Sequence, residues 1–247
     1  MNIFKNLTHN VRTFISNYFE IDLKFLKKNI YKNLETPDID IIKFLSRSNG
    51  VIHIGAHRGS ERFTYDWMGK EVIWIEANPK IFRELKNNLK EFKYQSCYQA
   101  LLHSTKGKWV NFFLSSNDQA SSSIYDFSKG FKDNSLFFQN IKRSISMVDK
   151  IKLKTQKLDD LILENNIDIN KFNHWIIDVQ GAELDVLKGS INSLKLCKSI
   201  VVEVSTEKFY ENGSIFYDVK KLLNSLNFVN IKEPTRNHQD ILFIKNK

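Results

Sequence analysis

A chain of 247 residues holds one large α/β domain with an appendage and is too short for two complete enzymatic domains. Its 42% hydrophobic and 26% charged residues exclude a disordered polypeptide, and no run approaches the roughly 18 uncharged apolar residues of a membrane-spanning helix. The formal charge of +9 favours an anionic partner, whether a nucleic acid, an anionic lipid surface or an acidic glycan carrier, unless the lysines are simply spread over a solvated surface.

Residues 1–48 read as a helical N-terminal extension. Ile3, Phe4, Leu7, Val11, Phe14, Ile15 and Tyr18 recur at three- and four-residue intervals, giving one apolar face. That face packs on the main domain or makes a homodimer or peripheral membrane contact. Lys5 and Arg12 interrupt the N-terminus where a secretory apolar segment would sit, so the expected location is cytoplasmic. Thr36-Pro37-Asp38 marks a break, and Ile41, Ile42, Phe44 and Leu45 predict a short helix after it.

Residues 49–247 form the second unit. β-rich runs occur at 51–54, 72–75, 96–101, 109–114, 151–155, 175–179, 199–204, 228–231 and 241–244, with helical periodicity over 81–92, 183–194 and 216–226. This alternation predicts a doubly wound, mostly parallel sheet with helices on both faces. The stretch at about 121–150 breaks the pattern and reads as an insertion over the site. Cys97 and Cys197 have no CxxC partner and no His cluster at metal-ligand spacing, so free thiols are expected and a structural zinc site is not.

Four strand ends carry chemistry. Val51 to Ile54 runs into Gly55-Ala56-His57-Arg58-Gly59, where glycines let backbone approach a ligand closely. Val72 to Ile75 ends in Glu76, which follows Gly55 by 21 positions, the spacing of an acid that accepts both hydroxyls of a ribose. The turn lacks the G-x-G-x-x-G that cradles a pyrophosphate, so a sulfonium nucleoside fits better than NAD. Asp178 ends an apolar strand and opens a helix, either as a cap or as a functional acid. Glu203 lies near the end of a buried strand, where an unpaired carboxylate would cost several kcal/mol, on the order of a lost buried ion pair, and therefore needs a partner or a role.

The segments VIHIGAHRGSE, VIWIEANP, YQALLHS, ASSSIYDF, KTQKLDDLI, IIDVQGAELDVLKG and VVEVS, in that order, resemble the FkbM family of class I methyltransferases from about Val51 onward. The resemblance implies a Rossmann-like, seven-stranded sheet with a final antiparallel strand and methyl transfer from S-adenosylmethionine to a hydroxyl, often on a sugar, polyketide or glycolipid. Carried over by position, Gly55, Ala56 and Gly59 line the methionine part of the cofactor, Glu76 holds the ribose, Ala77 and Asn78 adjoin the adenosine, and Ala100 and Leu101 flank the adenine. His53, Glu61 and Asp178 complete the expected contacts, although many members have Asp where this chain has His53, which can equally be a core histidine.

Methyl transfer needs an oxygen held near the methyl carbon and a base for the hydroxyl proton. Asp178 is the first choice; Glu203, His57 and His238 are alternatives, and Asp178 with Glu203 could instead hold a divalent cation. The expected acceptor is a small molecule or glycan, with Tyr125, Phe127, Phe131, Phe137 and Phe138 stacking on sugar rings and Lys129, Lys132, Lys142 and Arg143 holding an anionic group, or with the insertion acting only as a lid. RNA ribose methylation suits the basic charge as well. A non-catalytic binding module is the rival from another class, and the presence of both Gly55 and Glu76 argues against it.

Overall fold

The computed structural model describes residues 38–133 and 145–246. The apolar stripe from Ile3 to Tyr18, together with Phe137, Phe138, Lys142 and Arg143, lies outside the described residues.

Helix α1 (Ile39–Arg47) starts at Asp38, whose side chain accepts the Asp40 N–H at 2.8 Å, and leads into β1 (Gly50–Ile54). Lys70 closes the other end of α1 by donating its ammonium to the Ser46 and Ser48 carbonyls at 2.8 and 2.7 Å. Then follow α2 (Arg62–Trp67), β2 (Glu71–Glu76), α3 (Pro79–Asn88) and β3 (Gln95–Gln99). Pro79 stands in the first turn of α3, where its missing N–H costs nothing, and Asn78 caps it. The chain continues through β4 (Leu101–Leu102), β5 (Trp109–Ser115), α4 (Lys129–Asp133), β6 (Met147–Gln156), α5 (Leu158–Glu164), β7 (His174–Ile177), α6 (Glu183–Lys188), β8 (Ser199–Ser205), α7 (Phe216–Ser225), β9 (Phe228–Asn230) and β10 (His238–Lys245).

Seven strands form one sheet in the order β3-β2-β1-β7-β8-β10-β9. β1, β2, β3, β7 and β8 are parallel, while β10 runs antiparallel to both β8 and β9. This is the doubly wound α/β sheet that the sequence pattern predicts, with the seven strands and antiparallel last strand that the family resemblance implies. Its central strands are apolar on consecutive residues because both faces are covered. Ile52, Ile54, Trp175 and Ile177 pack with Leu161, Leu187, Phe216 and Leu223 on one face, and Val51, Val72 and Trp74 pack with Leu45, Tyr65 and Leu85 on the other. Among the described residues no helix is long and apolar enough to cross a membrane. Cys97 on β3 and Cys197 before β8 are both free thiols.

Three details depart from the sequence pattern. The run at 96–101 divides into β3 and β4, because Ala100 donates to the Glu76 carbonyl and the chain then leaves the sheet edge. The runs at 109–114 and 151–155 do not join the parallel sheet. They build a second, three-stranded sheet in the order β4-β6-β5, in which β5 and β6 pair antiparallel from Trp109↔Lys154 to Ser115↔Met147. Residues 147–150, expected within the irregular insertion, are the first turns of this β6 ladder rather than loop. From Ile151 to Thr155 exposed lysines alternate with partly buried or buried residues, which fits a ribbon with one solvated face.

Gly189 ties the two sheets together. It ends α6, and a Cβ there would stand 2.3 Å from the carbonyl oxygen of His103, just beyond β4. Backbone cannot give way as a flexible side chain can, so Gly189→Ala is expected to destabilise the protein by about 1 to 3 kcal/mol. Urea denaturation checks this; an unchanged midpoint would mean that α6 and the 103 turn are free to separate.

Candidate active site

The carboxyl ends of β1, β2 and β7 open onto a cavity of about 260 Å³. Such a strand-end crevice is where open α/β sheets bind ligands. Its walls include His53, Gly55, Ala56, His57, Glu61, Glu76, Ala77, Asn78, Ala100, Leu101 and Asp178, so most of the residues singled out in the sequence converge here. Gly59, Glu203 and His238 do not line it.

Gly55 has φ +83°, and a Cβ on it would lie 1.6 Å from the Asp178 carbonyl oxygen. The residue is therefore glycine because two strand tips touch backbone to backbone, in addition to any approach by a ligand. Gly59 has φ +68°, a left-handed conformation that favours glycine, and it packs under the tip of Leu85 of α3, which a Cβ would meet at 2.8 Å. His57, at φ +45°, turns its backbone N–H onto Glu76 Oε2 at 2.8 Å, and the Asn78 N–H donates to Oε1 at 2.8 Å. These two bonds orient the Glu76 carboxylate at the cavity wall. Burial raises its pKa to about 7, against the opposing pull of the Asn78, His57 and Ala77 N–H groups.

His53 is a buried ring that bonds Tyr65 Oη through Nδ1 at 2.9 Å and stacks on Trp74 with centroids 4.8 Å apart. Desolvation lowers its pKa and keeps it neutral. His57 Nε2 lies 3.1 Å from the Asp118 carbonyl and 3.0 Å from Arg58. Arg58 clamps Asp118 through two nitrogens at 2.7 and 3.1 Å and holds Glu84 of α3 as well. In this way the glycine turn fastens the loop after β5 over the cavity, which brings Gln119, Ala120, Ser122 and Ile124 into its lining. Gln119 also accepts the Asn78 side-chain amide.

At the far wall Asp178 has Glu203 behind it, and the two carboxyl groups are held by one amide and influence each other's charge. Gln180, at φ +56°, reaches back so that its amide nitrogen donates to both acids, at 2.6 Å to Asp178 Oδ1, while its carbonyl accepts from Tyr210 Oη at 2.7 Å. Tyr210 in turn packs flat on Gly181 and Gly213, where any Cβ would fall within 3 Å of it. Burial raises the pKa of Asp178, and the neighbouring Glu203 raises it further; burial raises Glu203 too. Like charges side by side oppose each other's ionisation. His238 Nε2 stands 3.0 Å from Glu203 Oε1 on the outer side. Among the described residues no group of three or more His, Cys, Asp or Glu side chains is arranged to hold a metal ion.

Sequence reasoning missed Gln180, Gln119 and Ser122. Gln180 lies three residues beyond β7, after Asp178 and Val179 in the segment DVQG, and its place just before the glycine was the available signal. Of the aromatic residues expected to present faces to a sugar, the described ones are otherwise engaged: Phe127 is buried and stacked on Tyr210, Phe131 stacks on Phe127, and Tyr125 donates to Asp185 at 2.7 Å. Lys132 pairs with Asp126. This described part of the insertion holds itself against the loop of Tyr210 instead of offering a free platform.

Glu183 is the remaining buried acid. It accepts the Gly181 N–H at 2.9 Å and the Ser214 hydroxyl at 3.2 Å, and burial raises its pKa to about 7 from an ordinary 4.5. A carboxyl held more strongly by protons in the folded than in the unfolded state contributes stability that is fully present below its unfolded pKa and is lost as pH rises through the folded one. The melting temperature of the ligand-free protein is therefore expected to fall between about pH 5 and about pH 8, and less steeply in Glu183→Gln. Parallel curves for the two proteins would show that Glu183 is not titrating in that window.

The matching family model is that of the methyltransferase FkbM domain, over residues 53–229. Among curated proteins the chain has no match. Solved structures similar in fold include a TehB-like SAM-dependent methyltransferase from Corynebacterium glutamicum (11% identity, 94% of this chain and 98% of that one, TM-score 0.44). Magnesium protoporphyrin IX methyltransferase from Synechocystis with bound SAM is similar at 11% identity, over 95% of this chain and 97% of that one, with a TM-score of 0.43. The fibrillarin pre-rRNA processing protein of Methanococcus jannaschii is similar at 15% identity, over 81% of this chain and 68% of that one, with a TM-score of 0.43. Likenesses at this level carry no substrate with them. The match from His53 to Val229 places the chain in the FkbM methyltransferase family, which uses S-adenosylmethionine as methyl donor.

Proposed function

We propose that this protein methylates a hydroxyl group, on a sugar, glycan or related small-molecule acceptor, within the cavity at the ends of β1, β2 and β7. The observation that carries this reading is the Asp178–Glu203 carboxyl pair at the cavity wall, because a hydroxyl, unlike a thiolate or a free amine, must surrender its proton as it is methylated.

The residues present fit the donor. Glu76 offers a pre-oriented carboxylate to the two hydroxyls of a ribose, while Ala77, Ala100 and Leu101 form an apolar slot for a flat base. The wall of Gly55, Ala56 and Asp178 then faces the methionine end. When bound, S-adenosylmethionine supplies a methyl group on a positively charged sulfur. The chain's own contribution is to hold an acceptor oxygen in line with that methyl, to exclude water, and to accept the proton at the carboxyl pair. Gln180 fixes the pair, and Gln119, Ser122 and His57 give polar contacts suited to an acceptor with several hydroxyls. The segment at 121–150 is proposed as part of the acceptor site or as a lid over it, and the extension at 1–48 as a helical appendage that packs on the main domain or makes a homodimer or peripheral membrane contact.

Glu76→Ala is expected to lower the affinity for S-adenosylmethionine and S-adenosylhomocysteine by about 1.5 to 3 kcal/mol, since the lost hydrogen bonds are to a charged group. Calorimetry measures this directly, and unaltered affinity would remove the ribose from Glu76. Asp178→Asn should keep cofactor binding and lose about 100-fold or more in turnover, the usual contribution of a positioned base. For the acceptor, the decisive measurement is transfer of labelled methyl from the cofactor into separated glycan, lipid and RNA fractions of a cell extract. Label entering RNA far faster than any glycan or small-molecule fraction would overturn the acceptor class proposed here.

A further inference from the structure

Glu203 and His238 lie behind the cavity wall. Glu203 Oε2 accepts the Gln180 amide that also holds Asp178, and on its other side Glu203 Oε1 faces His238 Nε2 at 3.0 Å. His238 opens β10 directly opposite Ser205 of β8, whose hydroxyl lies 2.9 Å from Nδ1. Exposure grows along this line, from a Glu203 side chain 19% exposed to a His238 side chain 37% exposed. A continuous set of hydrogen-bonding side chains thus runs from the cavity wall at Asp178 to the protein surface at His238.

We propose that this line is a proton relay: Asp178 and Glu203 hold one proton between them, and the entry of a cation into the cavity drives that proton out through His238 to solvent. The proposal rests on the reading of the cavity as the S-adenosylmethionine site. Positive charge beside Asp178 favours the doubly ionised pair. The carboxyl proton passes from Glu203 to His238 Nε2, whose lone pair is available when the ring proton sits on Nδ1 and is donated to the Ser205 hydroxyl. The imidazolium so formed gives a proton to water at its exposed edge, leaving two carboxylates and a neutral ring. No other reactant is consumed. The base is therefore generated only when the methyl donor is in place, and the same line carries away the proton that the acceptor hydroxyl later loses.

The surrounding charges make the pair responsive. Asp240 stands opposite Glu203 in the β8–β10 register, and Asp240 and Glu183 both oppose its ionisation. Glu76 and Glu183 face Asp178 from the cavity and from the start of α6. Tyr210 donates to Gln180 and feels all three acids of this wall, and the Phe209 ring covers one side of His238 with centroids 5.3 Å apart. Among the described residues no lysine or arginine lines the cavity, whose charged side chains are the acids Glu61, Glu76 and Asp178.

S-adenosylmethionine and S-adenosylhomocysteine separate this proposal from other proton release. Both contain the ribose that Glu76 would bind, but only the first carries a sulfonium. Mixing each with the protein at about pH 7 in weak buffer with a pH indicator should show additional proton release with S-adenosylmethionine, lost in Asp178→Asn. In His238→Gln the release should keep its amplitude and slow by about tenfold or more relative to binding followed by tryptophan fluorescence, with added imidazole restoring the rate. Equal release with the two ligands, or an unaltered rate in His238→Gln, overturns the relay. Failure of both ligands to bind overturns the cavity reading itself, and the relay with it.

Discussion

The contact between Gly55 and the carbonyl of Asp178 sets the geometry on which the rest depends. A Cβ at 1.6 Å from that oxygen is impossible, so the tips of β1 and β7 meet only because residue 55 is glycine. That meeting draws the glycine turn, the acid at the end of β2 and the carboxyl pair at the end of β7 around one space. It also explains why the turn that follows is left-handed at both Gly55 and His57: the chain must reverse sharply to put the His57 N–H on Glu76. Position and chemistry are coupled through backbone, which is stiffer than any side-chain contact.

The electrostatics of the site oppose those of the whole molecule. The chain carries a formal charge of +9, yet Glu76 and Glu183, which are buried, and Asp178 and Glu203, which are partly buried, gather at the cavity end of the sheet. Each is raised in pKa chiefly by loss of water; Glu76, Asp178 and Glu183 are held by backbone N–H groups, an amide or a hydroxyl, and Glu203 by the Gln180 amide and His238. Sites that assemble several destabilised acids are poised for proton chemistry and for a cationic ligand. Net charge reports on the solvated surface, and here it points away from what the site prefers.

The second sheet shows how the cavity acquires its cover. β5 and β6 form a ribbon that projects beyond the parallel sheet, and the chain leaving β5 folds back so that Phe113 pairs with Ser123. Arg58 and Asn78 seize this return at Asp118 and Gln119, two residues in left-handed conformation. From the other side Ser123 donates to the Gln180 carbonyl at 2.7 Å. The loop is thus held by the same turns that form the floor, so movement of the cover and order in the carboxyl pair are mechanically linked through Gln180.

The sequence by itself determined the sheet and the ends of its strands. Mostly apolar runs such as 51–54, 72–75 and 175–177 between turn signals read as strands covered on both faces, and the residue that follows each emerges at the ligand edge, which located Gly55, Glu76 and Asp178. Periodicity could not assign 109–114 and 151–155 to their own sheet, because strand pairing is a long-range choice that local alternation does not encode. It could not separate the packing role of Gly59 from the cavity role of Gly55, since both are glycines in one turn and differ only in what lies opposite. The pairing of Asp178 with Glu203, the arm of Gln180 across them and the outward step to His238 join residues up to 60 positions apart. Only tertiary structure decided those, because hydrogen bonds and shared protons depend on distances of a few tenths of an ångström that no spacing along the chain specifies.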